Sequence, residues 1–168
     1  MRLSAEGARL TVTDVNPDRR HLAGELGATW VEPGGEHLLP SDVFVPAGIG
    51  GLLTDEVIDA LDTRAVCGPA NNPLASHDGA QRLADRGILY APDFVVNAGG
   101  VIYLDLEAKR LGERAEIMQR VARIGDTVRD ILSDAQERGI TPLAAAEERA
   151  ATRLRVGATN TEALTTTS

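Results

Sequence analysis

Aromatic residues make up only 3% of this 168-residue chain, and cysteine and lysine occur once each, at Cys67 and Lys109. A core this poor in rings is built from Ala, Gly, Val and Leu, which suits α/β packing better than a β-sandwich. One cysteine excludes an internal disulfide. Cys67 follows Ala65-Val66 and reads as a buried strand residue. A reactive thiolate would want a basic neighbour, and Arg64 falls on the opposite face of a strand. No apolar run approaches the roughly 20 residues of a membrane span. The opening Met1-Arg2-Leu3-Ser4-Ala5-Glu6-Gly7 is too short and polar for a signal peptide, so the cytoplasm is the expected compartment. Positive charge is scarce too, with a formal net charge of -8. That disfavours nucleic acid and anionic membranes, which need clustered Lys and Arg. His21, His37 and His77 have no metal-ligand spacing, so no metal site is expected. No Gly-x-Ser-x-Gly context for a nucleophile occurs.

What is present is an alternation of short strands and helices, the pattern of a parallel sheet with crossover helices. Residues 1–7 read as a helix tail stopped by Gly7, and 8–13 as a strand. Asn16-Pro17 is an N-cap followed by proline at the first helical position, opening a helix to about residue 25, with Gly27 as its stop. Strands are expected at 29–31, 42–45, 65–67 and 88–90. Thr54 is expected to cap one intervening helix and Ser76 another, with Gly87 ending the latter. After Gly100 the period changes. Ile117, Val121, Ile124, Val128 and Ile131 form one apolar face of a long helix from about 113 to 137, ended by Gly139. Thr141-Pro142 opens a last helix to about Arg153. Residues 1–155 thus read as one domain, and 156–168, rich in Thr and Ala without an apolar period, as a disordered tail.

Three polar or glycine-rich loops each follow an apolar run: Val12-Thr13-Asp14-Val15-Asn16, Pro46-Ala47-Gly48-Ile49-Gly50-Gly51, and Asn97-Ala98-Gly99-Gly100 after Phe94-Val95-Val96. Open α/β sheets take ligands in the crevice beyond their strand ends. Asp14, at a strand end, suits the ribose hydroxyls of an adenosine and would repel a 2′-phosphate, which favours NAD over NADP despite Arg19 and Arg20. An Asp there also serves as a plain capping residue. The glycines after Pro46 let backbone approach a flat ligand, or simply turn the chain. Asn71 and Asn72, in Gly68-Pro69-Ala70-Asn71-Asn72-Pro73, could bind a substrate carboxylate or a nicotinamide amide, or adopt left-handed turn geometry. Asn97 stands between an apolar run and a small-residue run, as a ligand-facing amide or an ordinary helix start.

Taken in order, Val12-Thr13-Asp14-Val15-Asn16, Pro46-Ala47, Gly50-Gly51, Ala70-Asn71-Asn72, Tyr90-Ala91-Pro92-Asp93 and Asn97-Ala98-Gly99-Gly100 resemble the cofactor-binding half of the amino-acid dehydrogenases. The likeness is to the valine, leucine and phenylalanine enzymes, which share a family with glutamate dehydrogenase. It runs from about residue 10 to 104, and more weakly to about 155. The resemblance implies NAD as cofactor, with Asp14 on the adenosine ribose and Pro46, Ala47 and Gly48 lining the dinucleotide. Asn71 would lie near nicotinamide and substrate, and Asn97 would hold the nicotinamide carboxamide. Val96, Gly99 and Gly100 would sit beside the amino-acid side chain. The implied reaction is oxidative deamination of a branched-chain or other apolar L-amino acid to a 2-oxo acid and ammonia.

The departures matter as much. Relatives carry a separate domain with catalytic lysines, one acting as a general base, and nothing here takes that role. Lys109, in Leu106-Glu107-Ala108-Lys109-Arg110, is expected on a polar helical surface. No Gly-x-Gly-x-x-Gly turn precedes Asp14 to cradle a pyrophosphate. The expected fold is a Rossmann-like doubly wound parallel sheet lacking its first strand, plus C-terminal helices. In the strand order 3-2-1-4-5-6 that strand is central, so strands starting near Leu10 and Asp42 should each have an unpaired edge. Those edges would close on each other, accept a strand from a homo-oligomer or complementing dehydrogenase chain, or leave the fold poorly stable. No catalytic residue is assigned, and the lone chain is expected to be inactive. Two alternatives stand beside this: one subunit of a split dehydrogenase, and a non-catalytic binding or scaffold module.

Overall fold

The computed structural model describes residues 2–108 and 114–165. Its contacts divide the chain into two compact units, Met1–Ser41 with Ala60–Asp62, and Asp42–Asp59 with Thr63–Ser168.

In the first unit, α1 (Arg2–Ala5) is followed by β1 (Thr11–Val12), α2 (Arg20–Glu25) and β2 (Thr29–Trp30). β1 and β2 pair in parallel, Thr11 opposite Thr29 and Val12 opposite Trp30. Gly7 at φ +88° and Gly27 at φ +64° end the two helices in the left-handed region, where glycine is unstrained. Pro17–Arg19 forms a 3-10 turn ahead of α2, and the Asn16 side chain accepts from Asp18 N as its cap.

The second unit carries the larger ladder, with strand order β3 (Ser41–Phe44), β4 (Thr63–Val66) and β5 (Leu89–Tyr90). β4 and β5 are parallel, Val66 opposite Tyr90. α3 (Asp55–Ala60) and α4 (Gly79–Asp85) are the crossovers. Thr54 caps α3 through the bond from Val57 N to Thr54 Oγ1 at 3.3 Å. Leu53, Ile58, Val66 and Leu83 are almost wholly buried and form the centre of this unit. β1 and β3 therefore stand at the ends of separate ladders, each with one paired neighbour among the described residues.

Beyond β5 come α5 (Asp93–Val96), α6 (Gly99–Ala108), α7 (Arg114–Arg138) and α8 (Pro142–Thr165). α7 packs on α5, α6 and α8. Its buried Ile131 and Ala135 meet Ala145 and Ala146 of α8, with Val95 and Ile140 against the same cluster.

Several boundaries differ from the sequence expectation. The apolar run Phe94-Val95-Val96, given no element in the sequence reading, is helical: Pro92 presets the backbone at φ -57°, and Val95 packs against the α7–α8 cluster, overriding its β-branched preference. Ser76 does not cap α4 with its side chain. Its carbonyl takes Gly79 N at 3.1 Å and that of His77 takes Ala80 N, so backbone satisfies the first donors. α8 continues to Thr165, past the end expected near Arg153, with no proline inside it to stop it. Lys109 and residues 166–168 of the expected tail lie outside the described residues.

Candidate functional site

The strand exits of the second unit are laced together by backbone. Ala70 N donates to Pro46 O at 3.0 Å, Ala91 N to Val66 O at 3.0 Å, and Gly51 N to Asn72 O at 2.8 Å. Glycine is needed at Gly68 and favoured at Gly50, where these exits touch. A Cβ on Gly68 would collide with the Pro46 carbonyl and lie 2.7 Å from its ring, and one on Gly50 would lie 3.0 Å from Asn71 O. Pro46 is thereby buried, while Ala47 and Gly48 after it are exposed. Added Cβ atoms on Gly48 or Gly100 meet nothing within 4 Å, so both face open space.

Two asparagines meet in this framework. Asn97 Nδ2 donates to Asn71 Oδ1 at 2.6 Å, across 26 residues of sequence. The bond uses the carbonyl of Asn71 and one N–H of Asn97. It leaves the Asn71 amide group as a donor and the Asn97 carbonyl as an acceptor. Such a side-by-side donor and acceptor complements a primary carboxamide, so the residues present fit a nicotinamide amide. Val96 and Gly99 are half-buried and Gly100 is exposed at the junction of α5 and α6. Gly99 approaches α7 closely, its added Cβ falling 3.5 Å from Val121 Cγ1.

A carboxylate lies beneath the pair. Asp93 Oδ1 accepts from Tyr90 OH at 3.1 Å and Oδ2 from Asn72 N at 2.8 Å. Burial pushes the Tyr90 phenol well above its ordinary value, and the charge of Asp93 pushes the same way, so the hydroxyl stays a donor. The sequence reading assigned no role to Tyr90 or Asp93. The signal available was their spacing, a strand residue and a helix residue three apart around Ala91-Pro92.

In the first unit Asp14 follows β1. Its Oδ1 accepts from Asn16 N at 2.9 Å, and its Oδ2 lies 3.5 Å from Arg19 Nε. The side chain is one-third exposed, with 33% of its surface open, and so remains available to hydroxyl groups. Arg20 instead faces Glu32 at 3.7 Å. Thr13 Oγ1, one residue before Asp14, is buried without a partner.

Cys67 is partly buried and burial raises its thiol pKa, which disfavours the thiolate. No group of His, Cys, Asp and Glu among the described residues could hold a metal. No described helix is long and apolar enough to cross a membrane.

Parallel strands, helical crossovers and polar loops at the strand exits define an α/β protein of the doubly wound class. The chain belongs to the Glutamate/Leucine/Phenylalanine/Valine dehydrogenase family, which matches residues 7–162. It is 42% identical over 157 residues to valine dehydrogenase of Streptomyces albus, covering 90% of this chain and 43% of that one. It is 37% identical over 154 residues to leucine dehydrogenase of Thermoactinomyces intermedius, covering 90% and 42%. The crystal structure of L-tryptophan dehydrogenase from Nostoc punctiforme superposes with a TM-score of 0.87 at 35% identity, over 92% of this chain and 47% of that one. The chain thus spans less than half the length of these relatives.

Proposed function

We propose that this chain forms the dinucleotide-binding part of an NAD-dependent dehydrogenase that deaminates a branched-chain or other apolar L-amino acid to the 2-oxo acid and ammonia. The observation that carries the reading is the Asn71–Asn97 amide pair at the strand exits. Asn97 Oδ1 and Asn71 Nδ2 would hold the two ends of the nicotinamide carboxamide. Pro46, Ala47 and Gly48 would line the dinucleotide, with Gly48 giving the close backbone approach. Asp14 would accept from the ribose hydroxyls and repel a 2′-phosphate, selecting NAD. Bound NAD would supply the hydride acceptor, and Val96, Gly99 and Gly100 would border the amino-acid side chain.

This chain's own residues bind and orient; they do not take the substrate's proton. Its single lysine, Lys109, is not given that task, so the base belongs to a complementing dehydrogenase chain or further domain. Membership of a dehydrogenase family supports the reaction class, and the length of the relatives supports the need for complementation. On this reading the protein also self-associates or takes a partner through the strand edges at β1 and β3.

The test is titration with NADH followed by NMR, together with a turnover assay on L-valine or L-leucine with NAD. Shifts at the Asn71 and Asn97 side-chain amides and at Asp14, with no turnover by the chain alone, are expected. Loss of all NADH affinity would favour the scaffold reading, and turnover by the lone chain would refute the need for a partner.

A further inference from the structure

Tyr90-Ala91-Pro92-Asp93 has no assigned part in the reading above, yet it is hydrogen-bonded to both segments that carry the amide pair. Asp93 holds both asparagine-bearing segments at once. Its Oδ2 takes the backbone N–H of Asn72 at 2.8 Å, and its own carbonyl takes the backbone N–H of Asn97 at 2.8 Å. Its remaining carboxylate oxygen, Oδ1, takes the hydroxyl of Tyr90, whose side chain is embedded in the core with the residue only 2% exposed. A ring so fixed gives its hydroxyl one direction, and a buried hydroxyl needs an acceptor there.

Asn72 shows why this hold is needed. It sits at φ +48°, the one non-glycine residue with positive φ among those described. Left-handed backbone is unfavourable for a residue with a Cβ, least so for asparagine, and the surroundings hold it here. Here the surroundings are Asp93 on its N–H and Gly51 N on its carbonyl, the latter at 2.8 Å. The turn at Asn72 in turn aims Asn71, whose Oδ1 receives Asn97 Nδ2.

We infer that Asp93, backed by Tyr90, is a positioning residue that holds the turn at Asn72 and so keeps the Asn71 side chain within reach of the Asn97 amide. With the network intact, Asn71 presents N–H and Asn97 presents C=O. A displaced Asn71 would release Asn97 Nδ2 and break the donor–acceptor pair that matches a carboxamide. Asp93 acts through the asparagines and does not touch the ligand.

Two variants test this in the full chain, Asp93→Asn and Tyr90→Phe. Asparagine keeps the size of Asp93 but loses its charge: with its Oδ1 on Asn72 N, its NH2 meets Tyr90 Oη, and the phenol proton is left without its acceptor. The readout is the Asn97 side-chain NH2 resonance and its exchange with water, with Ile58 and Leu83 methyl resonances reporting the core. Asp93→Asn is expected to speed Asn97 amide exchange roughly tenfold, the worth of one hydrogen bond. Tyr90→Phe should move it less, and the methyl pattern should hold in both. An unchanged Asn97 amide in whichever variant stays folded overturns the inference. Loss of the methyl pattern in both also overturns it, because the network would then serve the fold and not the pair. The inference rests on the proposed function for its purpose and not for its test. An unchanged amide removes it while NADH binding stands. A changed amide in a chain that binds no NADH removes the proposed function alone.

Discussion

The two units hold their candidate ligand groups by different means. In the first, Ala23 and Leu61 are the only buried hydrophobics among the described residues, and Leu3, Leu22 and Leu38 are exposed. Asp14 is fixed there by neighbours within five residues, Asn16 N and Arg19 Nε. In the second, Ile58, Val66 and Leu83 are 0% exposed, and the amide pair joins residues 26 apart in sequence. One site is built by local turn chemistry, and the other by a packed sheet that brings distant loops together. Local hydrogen bonds survive without a core but fray easily, whereas a site on packed strands lasts as long as the core does.

The largest expected effect comes from attacking that core. Leu83→Ala should cost about 2–5 kcal/mol, because it opens a cavity at a side chain that is 0% exposed. Leu22→Ala, on a side chain already 40% exposed, should stay within about 0.5 kcal/mol. Trp30, the single tryptophan, lies in β2, so its fluorescence reports the first unit while helical circular dichroism is dominated by the second. In urea, the Trp30 transition is expected at lower denaturant than the loss of helix. Coincident transitions would show that the units unfold as one and would break the comparison.

The next effect is on cofactor choice, on the reading proposed above. Asp14 and Arg19 are an ion pair of opposed preferences, the acid suiting a ribose hydroxyl and the guanidinium a 2′-phosphate. Asp14→Asn should raise NADPH affinity relative to NADH by roughly tenfold, about the worth of one charged hydrogen bond. Arg19→Ala should move the ratio the other way. Fluorescence titration with both nucleotides measures it, and a ratio indifferent to both substitutions would separate Asp14 from dinucleotide recognition.

How legible these two regions were in sequence follows the same division. Asn16-Pro17, Gly7, Gly27, Gly87 and Gly139 announced their turns because a cap or a left-handed glycine is a local event. The period of Ile117, Val121, Ile124, Val128 and Ile131 gave α7 to within a residue or so at each end, because one face of a long helix repeats. Asn71 and Asn97 stood out singly, but nothing in a linear chain says that one amide meets the other. Phe94-Val95-Val96 was legible only as an apolar run, because the α7–α8 cluster that Val95 packs against in a helix lies far along the chain. Tyr90 and Asp93 were quoted as a motif without a role, because the partner that gives Asp93 its meaning, Asn72 N, is 21 residues away.

Helix caps sharpen the comparison at a smaller scale. Asn16→Ala removes the acceptor for Asp18 N in the first unit, and Thr54→Ala removes that for Val57 N in the second. Each should cost about 1 kcal/mol locally. The outcome should differ in reach. With little core behind it, the Asn16 change should speed amide exchange through α2 and β2, whereas the Thr54 change should stay within the first turn of α3. Equal spread in both units would mean that burial does not set how far a local loss travels.

The finest test is alkaline and concerns Tyr90 alone. Burial, aided by the Asp93 carboxylate, raises its phenol above the ordinary value of 10.0, so the folded state holds the proton more tightly than the unfolded chain. The sign follows from linkage. The contribution is fully present below pH 10.0 and is lost as pH rises from there through the raised folded value, since only the unfolded chain ionises in that window. Tyr90→Phe cannot titrate. At about pH 8 the wild type should be the more stable by roughly 1 kcal/mol for the hydroxyl's bond to Asp93. Towards about pH 11 that gap should narrow as the unfolded tyrosine ionises. Urea midpoints read from the helical signal of the second unit measure it. A gap that keeps its size across the window would mean that the Tyr90 hydroxyl is not held in the buried setting beside Asp93 that the geometry gives it, and the long-range hold on the amide pair would lose its anchor.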